Sequence, residues 1–331
     1  MPPAPALIHV WFALLPGSLA LDWAGPAETL RSANAHLIDA GGAARFVLHF
    51  AAPTPVMATS VGVQLSGLAP LPTELPAPSW VVVVGMTGNQ VDVSGDDAQR
   101  LLHWLRGLQL RQGQLELLTV CAGSVLAAHA GLLAGRRATT HHQHLQELAS
   151  VEPRCDVVAN RVFVADGALH SSAGVSTGVD LMLHRIAQTC GAALAAQVAQ
   201  TLVLPLRRGP EDAQISPFMA HRNHLHAGVH RVQDAVSATP QAEWSVPAMA
   251  SIAHTSPRHL TRLFLEHAEV APLAWLRRIR LVRAEALLQA GQNVTQAAEG
   301  AGFGSDTQLR RAWRQFGRPG SPAHPAGSAA H

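Results

Sequence analysis

Ser256-Pro257-Arg258-His259-Leu260-Thr261-Arg262-Leu263-Phe264 returns 49 residues later as Ser305-Asp306-Thr307-Gln308-Leu309-Arg310-Arg311-Ala312-Trp313, with serine, leucine, arginine and an aromatic residue in matching places. In each copy the serine suits a helix N-cap, because its hydroxyl can accept an orphan amide of the first turn. The leucine and the aromatic residue four positions on share one face, while the arginine two after the leucine points elsewhere. A run of small residues precedes each copy, Val246 to Ala253 and Val294 to Ala301. A short helix, a tight turn and a second helix with a polar face form the helix-turn-helix plan, written here twice. Between the copies, Pro272 to Leu288 has helical periodicity with Leu276, Ile279, Ala286 and Leu287 as core candidates, which predicts a helix that couples the two units rigidly.

Charge separates this region from the rest. The first 228 residues carry 13 arginines against 15 acids, and the last 103 carry 11 against 7, so the basic part is C-terminal. The turn-rich stretch Leu206 to His230, with Arg207-Arg208-Gly209-Pro210 and Ser216-Pro217, interrupts the apolar periodicity on either side. The expected organisation is a first domain over 6–204, a linker over 205–228, an all-α domain over 229–320 and a disordered tail over 321–331.

Over residues 229–318 the sequence resembles the AraC/XylS transcription regulators. The Ser-Pro-Arg-x-Leu-x-Arg-x-Phe motif, the Arg-x-x-x-Ala-x-x-Leu-Leu pattern of the joining helix and Gly302-Phe303 ahead of the second unit carry that resemblance. It implies two recognition helices entering successive major grooves of double-stranded DNA, with arginines on guanine edges and other groups on phosphates. The implied base contacts fall on Arg258, Thr261 and Arg262 in the first head and on Thr307, Gln308 and Arg311 in the second. The sequence departs from the family at Ala297, where a branched apolar residue is usual, and at Gly320-Ser321-Pro322-Ala323-His324, which replaces a terminal Pro-x-x-Tyr-Arg. Both departures predict a more loosely packed second head.

Ahead of the linker, apolar runs alternate with amphipathic stretches: strands at Ile8–Leu15, Arg45–Ala51, Trp80–Val84 and Leu115–Val120, helices at Pro26–Ala40 and Asp97–Gln109. Continuous runs such as Val81-Val82-Val83-Val84 suit strands covered on both faces. The expected fold is an α/β domain, a parallel sheet between helix layers of the flavodoxin-like or amidotransferase-like kind.

The strand Leu115–Val120 runs into Cys121-Ala122-Gly123-Ser124 and then into a helix of small residues over Val125–Ala130. A sharp strand-to-helix turn places a thiol where helix amides can stabilise a thiolate or an oxyanion. An inert buried cysteine beside glycine is the plainer reading of Cys121 alone. Asp22-Trp23-Ala24-Gly25-Pro26 after the first strand and Arg136-Arg137-Ala138-Thr139-Thr140-His141-His142 after the elbow add an acid and a histidine. Residues 6–200 resemble the ThiJ/PfpI branch of the class I glutamine amidotransferase-like superfamily, and the order of the two domains resembles the GlxA-type transcription regulators. The resemblance implies Asp22 facing the thiol of Cys121, His141 nearby, and the Gly85 and Ala122 amides as oxyanion-type donors. Ala122 stands where hydratase-like relatives carry a hydroxyl, and no acid completes a triad after His141 except the poorly placed Glu147. The implied role is a pocket that senses a small molecule, such as a nitrogen-containing metabolite, with cysteine-dependent hydratase or hydrolase chemistry as the alternative.

The remaining composition narrows the class. At 331 residues, 48% hydrophobic, 14% charged and net charge +2, the chain is a folded protein of about two domains, neither fibrous nor disordered. Three cysteines without paired spacing, Cys121, Cys155 and Cys190, predict neither a disulfide framework nor a zinc ribbon and fit the cytoplasm. The apolar stretch Leu7–Leu21 lacks a basic flank and is broken by Pro16-Gly17, so neither a leader nor a membrane span is expected there. The histidine groups His141-His142-x-His144 and His221-x-x-His224-x-His226 lack a cysteine or carboxylate of matching spacing, so they are read as solvated and no metal or other cofactor is expected. The partners expected of such a regulator are operator DNA, a small effector, a second copy of the chain and, for an activator, RNA polymerase; no membrane partner is expected.

Overall fold

The computed structural model describes residues 6–204, 208–210, 212–215, 218–318 and 320–325. The chain divides into two compact units, 1–214 and 215–331. The first contains β1 (Ile8–Ala13), α1 (Ala20–Asp39), β2 (Phe46–Ala51), the hairpin strands β3 (Val56–Ala58) and β4 (Gln64–Ser66), β5 (Ser79–Val83), α2 (Asp96–Arg106), β6 (Leu115–Val120), α3 (Gly123–His129), β7 (Arg137–Ala138), α4 (Leu145–Val151), β8 (Asp156–Val157), β9 (Phe163–Asp166), β10 (Leu169–Ser172), α5 (Thr177–Cys190) and α6 (Ala192–Thr201).

Six strands form one sheet in the order β2-β1-β5-β6-β10-β9. Every neighbour in it is parallel except β9, which runs antiparallel to β10 at the edge, so the sheet is mixed rather than wholly parallel. The hairpin geometry of β9 and β10, joined by two residues, forces that antiparallel edge. Every residue of β5 is buried, as helices cover both faces of the sheet centre. The strand order reverses at β1, which has β2 on one side and β5 on the other. The crevice outside the carboxyl ends of β1 and β5 is therefore the topological switch point, where α/β sheets place their sites. Helix α1 begins six residues before the expected Pro26. That proline lies inside the helix, where it removes the amide that would bond the carbonyl of Asp22.

The second unit contains α7 (Ala227–Ala238), α8 (Val246–Ile252), α9 (Pro257–Ala268), α10 (Pro272–Gln289), α11 (Val294–Ala301), α12 (Asp306–Gln315) and the short strands β11 (Gly320–Ser321) and β12 (His324–Pro325). Two separate cores hold it. Leu260, Phe264, Trp275, Leu276 and Ile279 belong to the first, and Leu281, Ala284, Phe303, Leu309 and Trp313 to the second. Helix α10 thus supplies its N-terminal half to one head and its C-terminal half to the other. Ala286, expected in the core, is exposed, and Ala284 is buried in its place. The second head is as closed as the first: Ala297 and Leu309 are fully buried, and Trp313 is 2% exposed. Small residues let α11 approach α10 closely, and the indole fills the remaining volume. Residues 321–325, expected in a disordered tail, instead pair with Gly320 in a short antiparallel hairpin, and residues 326–331 lie outside the described residues. Among the described residues no helix is long and apolar enough to cross a membrane.

Candidate functional site

In the first head, Ser256 Oγ accepts the amide of His259 at 3.2 Å and Pro257 opens α9, where a missing amide costs nothing. Leu260 and Phe264 turn inward, leaving Arg258 and Arg262 exposed. Arg262 Nη2 lies 3.1 Å from His259 Nδ1, which steadies the guanidinium on the outer face. The Thr261 hydroxyl donates back to the Pro257 carbonyl at 3.0 Å, so this half-buried residue offers its methyl and an acceptor lone pair.

The second head repeats the arrangement. Ser305 Oγ accepts the amide of Gln308 at 3.3 Å, and Leu309 and Trp313 fill its core. Thr307, Gln308 and Arg311 are exposed. Gln308 Oε1 accepts the Gly304 amide at 3.2 Å, leaving the side-chain NH2 as a donor.

In the first unit, four successive parallel strands deliver the other cluster at their carboxyl ends: Asp22 after β1, Gly85 after β5, Cys121 after β6 and Gly174 after β10. Cys121 has φ +58, the left-handed value of a strand-to-helix elbow. Its amide donates to the Ser172 carbonyl at 3.0 Å, and its carbonyl accepts the Thr140 hydroxyl at 2.8 Å. Glycines wall the thiol: a Cβ at Gly174 would stand 2.2 Å from Cys121 Cβ, and one at Gly85 would stand 2.9 Å from Asp22 Oδ2. Sequence reasoning missed Gly174 and Val175; the only signal was a glycine following a short strand of ordinary appearance.

Asp22 is fully buried, and its Oδ1 accepts the Val175 amide at 2.7 Å. Burial pushes its pKa above the ordinary carboxylate value, against the Val175 and Gly85 amides and the Cys121 thiol, which favour the anion. Burial, and then the Asp22 carboxylate, push the Cys121 thiol up as well, outweighing the Ala122 amide that aids the thiolate. The elbow is present, but its environment favours a neutral thiol over the activated thiolate that a strand-to-helix turn suggests.

The structure brings Asp22, Cys121, Gly85 and Ala122 together, but among the described residues no hydrogen bond joins His141 to Cys121 or Asp22. The His141 pKa is pushed down to about 4, first by burial and then by His142 and His144. Glu147 is engaged elsewhere, with Oε2 at 2.6 Å from His144 Nδ1 and Oε1 accepting the Val91 amide. Of the histidines expected to be solvated, His142 is exposed, while the others are at least partly packed. His144 is buried, His226 Nδ1 caps α7 through the Val229 amide, and the rings of His224 and His230 lie 4.3 Å apart. Among the described residues no three histidine, cysteine or acidic side chains are placed to hold a metal ion.

Residues 249–318 match the helix-turn-helix domain family and residues 69–188 the DJ-1/PfpI family. The HTH-type transcriptional regulator CdhR of Pseudomonas aeruginosa is 30% identical over 313 residues, covering 92% of this chain and 87% of that protein. The HTH-type transcriptional regulator GlxA of Rhizobium meliloti is 28% identical over 324 residues, 97% of each chain. A ThiJ/PfpI family protein from Pseudomonas syringae shares the fold with a TM-score of 0.51 at 20% identity, over 62% of this chain and 78% of that one. The chain belongs to the family of transcriptional regulators in which a DJ-1/PfpI domain precedes an AraC-type helix-turn-helix domain.

Proposed function

We propose that the chain binds operator DNA through both heads, with Arg258, Thr261 and Arg262 on α9 and Thr307, Gln308 and Arg311 on α12 meeting base edges in successive major grooves. The observation that carries this reading is the doubled presentation: two serine-capped helices each bury a leucine and an aromatic residue while holding an arginine-bearing face outward. The first unit senses a small molecule, such as a nitrogen-containing metabolite, at Asp22 and Cys121. It works in the cytoplasm as a homodimer, with RNA polymerase as a further partner where it activates. Sensing is favoured over turnover because the thiol is held neutral, Ala122 offers no hydroxyl and Glu147 is committed to His144.

An operator selected from random DNA by the full chain, footprinted at fixed salt, tests the reading. Arg262→Ala and Arg311→Ala should each lose about 1–3 kcal/mol on the operator relative to random DNA, the discrimination of one bidentate arginine–guanine contact. Equal loss on both DNAs would reassign that arginine to the phosphates, and unchanged binding on both would remove that helix from the interface.

A further inference from the structure

We propose that residues 208–210 and 212–214, at the end of the first unit, form a strap that reports the state of the site around Cys121 to the DNA-reading unit, an inference that rests on the sensing role above. The strap is anchored at three points, and a short run of hydrogen bonds and chain neighbours leads from each anchor to Asp22 or Cys121.

Arg208 makes the first. Its amide donates to Asp180 Oδ1 at 3.1 Å and its Nε to Asp180 Oδ2 at 2.9 Å, while Nη2 reaches Ser176 Oγ at 2.9 Å. Ser176 directly follows Val175, whose amide holds Asp22 Oδ1 at 2.7 Å. At the second anchor the Asp212 carbonyl accepts the Val162 amide, and the Val162 carbonyl accepts that of Ala173, both at 3.0 Å. Ala173 precedes Gly174, the residue pressed against Cys121. At the third, Gln214 Nε2 donates to the Thr140 carbonyl at 3.0 Å, and the Thr140 hydroxyl donates to the Cys121 carbonyl at 2.8 Å.

The element between pocket and strap is strained. Gly174 has φ +91 and Val175 has φ +54, a value that a β-branched residue adopts only where its surroundings impose it. Here the pocket acid holds Val175 and the strap arginine holds its neighbour. A molecule that takes Asp22 Oδ1 or presses on Cys121 displaces Gly174 or Val175, since even a methyl on Gly174 would stand 2.2 Å from Cys121 Cβ. Ser176 then moves with Val175, and Arg208 loses a partner. Such a shift is transmitted only if occupant and strap prefer different states of this loop. Ile215 follows Gln214 directly and begins the second unit, so the strap is also the covalent route to it.

The test uses the full chain without DNA, with iodoacetamide on Cys121 as the stand-in occupant and hydrogen exchange read peptide by peptide by mass spectrometry. Alkylation of Cys121 should raise exchange in peptide 208–214 about tenfold while β5 stays protected, a coupling of about 1.4 kcal/mol. Unchanged exchange in that peptide overturns the proposal. Because the strap also holds the loop against Cys121, Arg208→Ala combined with Gln214→Ala should speed alkylation of Cys121, with circular dichroism unchanged. An unchanged rate in the folded double variant overturns it too, and the exchange measurement on the native sequence decides the matter if that variant does not fold. Neither measurement involves DNA, so failure here leaves the reading heads standing, and failure of operator binding leaves the strap standing.

Discussion

Gly302 and Gln241 touch so closely that a Cβ on the glycine would come within 2.7 Å of the Gln241 Cα. Gln241 lies between α7 and α8 of the first head, and Gly302 ends α11 of the second, so the two heads meet at this point. Arg280 of α10 bridges the same place: its Nε donates to the Pro240 carbonyl and its Nη2 to the Ala242 carbonyl, each at 2.8 Å. The brace and the shared helix together fix the distance and phase between the recognition helices. Gly302 also has φ +88, so an alanine there meets both a strained backbone and an occupied space.

Gly302→Ala should therefore destabilise the second unit by about 2–4 kcal/mol, the sum of a left-handed alanine and an overpacked contact. Urea unfolding measures that cost. The same variant should tolerate an extra base pair between the two half-sites better than the native chain does. Equal intolerance of the insertion would mean that α10 alone sets the spacing.

Separate cores predict separable heads. Trp313→Ala removes a nearly fully buried side chain from the second core, at a cost of about 3–5 kcal/mol, and leaves the residues of the first core in place. The footprint should shrink to the half-site of α9. Phe264→Ala should do the converse. Loss of the whole footprint with either variant would show that the heads fold as one cooperative unit.

The fold was legible in the sequence where burial is one-sided or complete. The repeat is visible because Leu260 and Phe264, or Leu309 and Trp313, must meet at helical spacing, and Leu115–Val120 because a strand covered on both faces is apolar throughout. The far half of the first unit was not legible. β10 reads Leu169-His170-Ser171-Ser172, polar by composition yet buried, because Ser171 Oγ accepts the Thr139 amide at 2.8 Å and Ser172 Oγ donates to the Thr119 carbonyl at 3.4 Å. Hydrogen bonds that redeem buried polar groups join distant segments and leave no periodicity behind. The cluster around Cys121 was half legible for the same reason: Asp22 and Cys121 follow strands that announce themselves, whereas Gly174 and Val175 follow one that does not. Proline likewise misplaced the start of α1, since Pro26 reads as a first-turn residue and sits in the interior.

His141 gives the first unit a pH dependence whose sign can be worked out. The unfolded imidazole protonates near 6.5, whereas the folded one stays neutral down to about 4, with burial as the main cause and His142 and His144 adding to it. Stability from this group is present above pH 6.5 and is lost as pH falls through the window to 4. The ring is only half-buried, so after solvent screening the effect is ~1 kcal/mol. His141→Asn should flatten the decline of the first thermal transition between pH 6.5 and 4.5. An unaltered slope would place the titration in other histidines.

Finally, the second unit should bind DNA without the first. Its helices are capped by its own residues, with Ser245, Ser256, Asn293 and Ser305 at the starts of α8, α9, α11 and α12, and both cores close without a residue from 1–214. What the first unit adds, if it pairs two chains, is effective concentration, which raises affinity about 10²–10⁴-fold without a new DNA contact. Residues 215–331 alone should then protect the same bases within each site, at lower affinity and with about half the salt slope of the full chain, because half as many phosphates are engaged per binding event. Gel shifts across a salt series measure both quantities. An affinity and slope equal to those of the full chain would remove dimerisation from the mechanism, and no binding even at low salt would show that the heads need the first unit in order to read DNA.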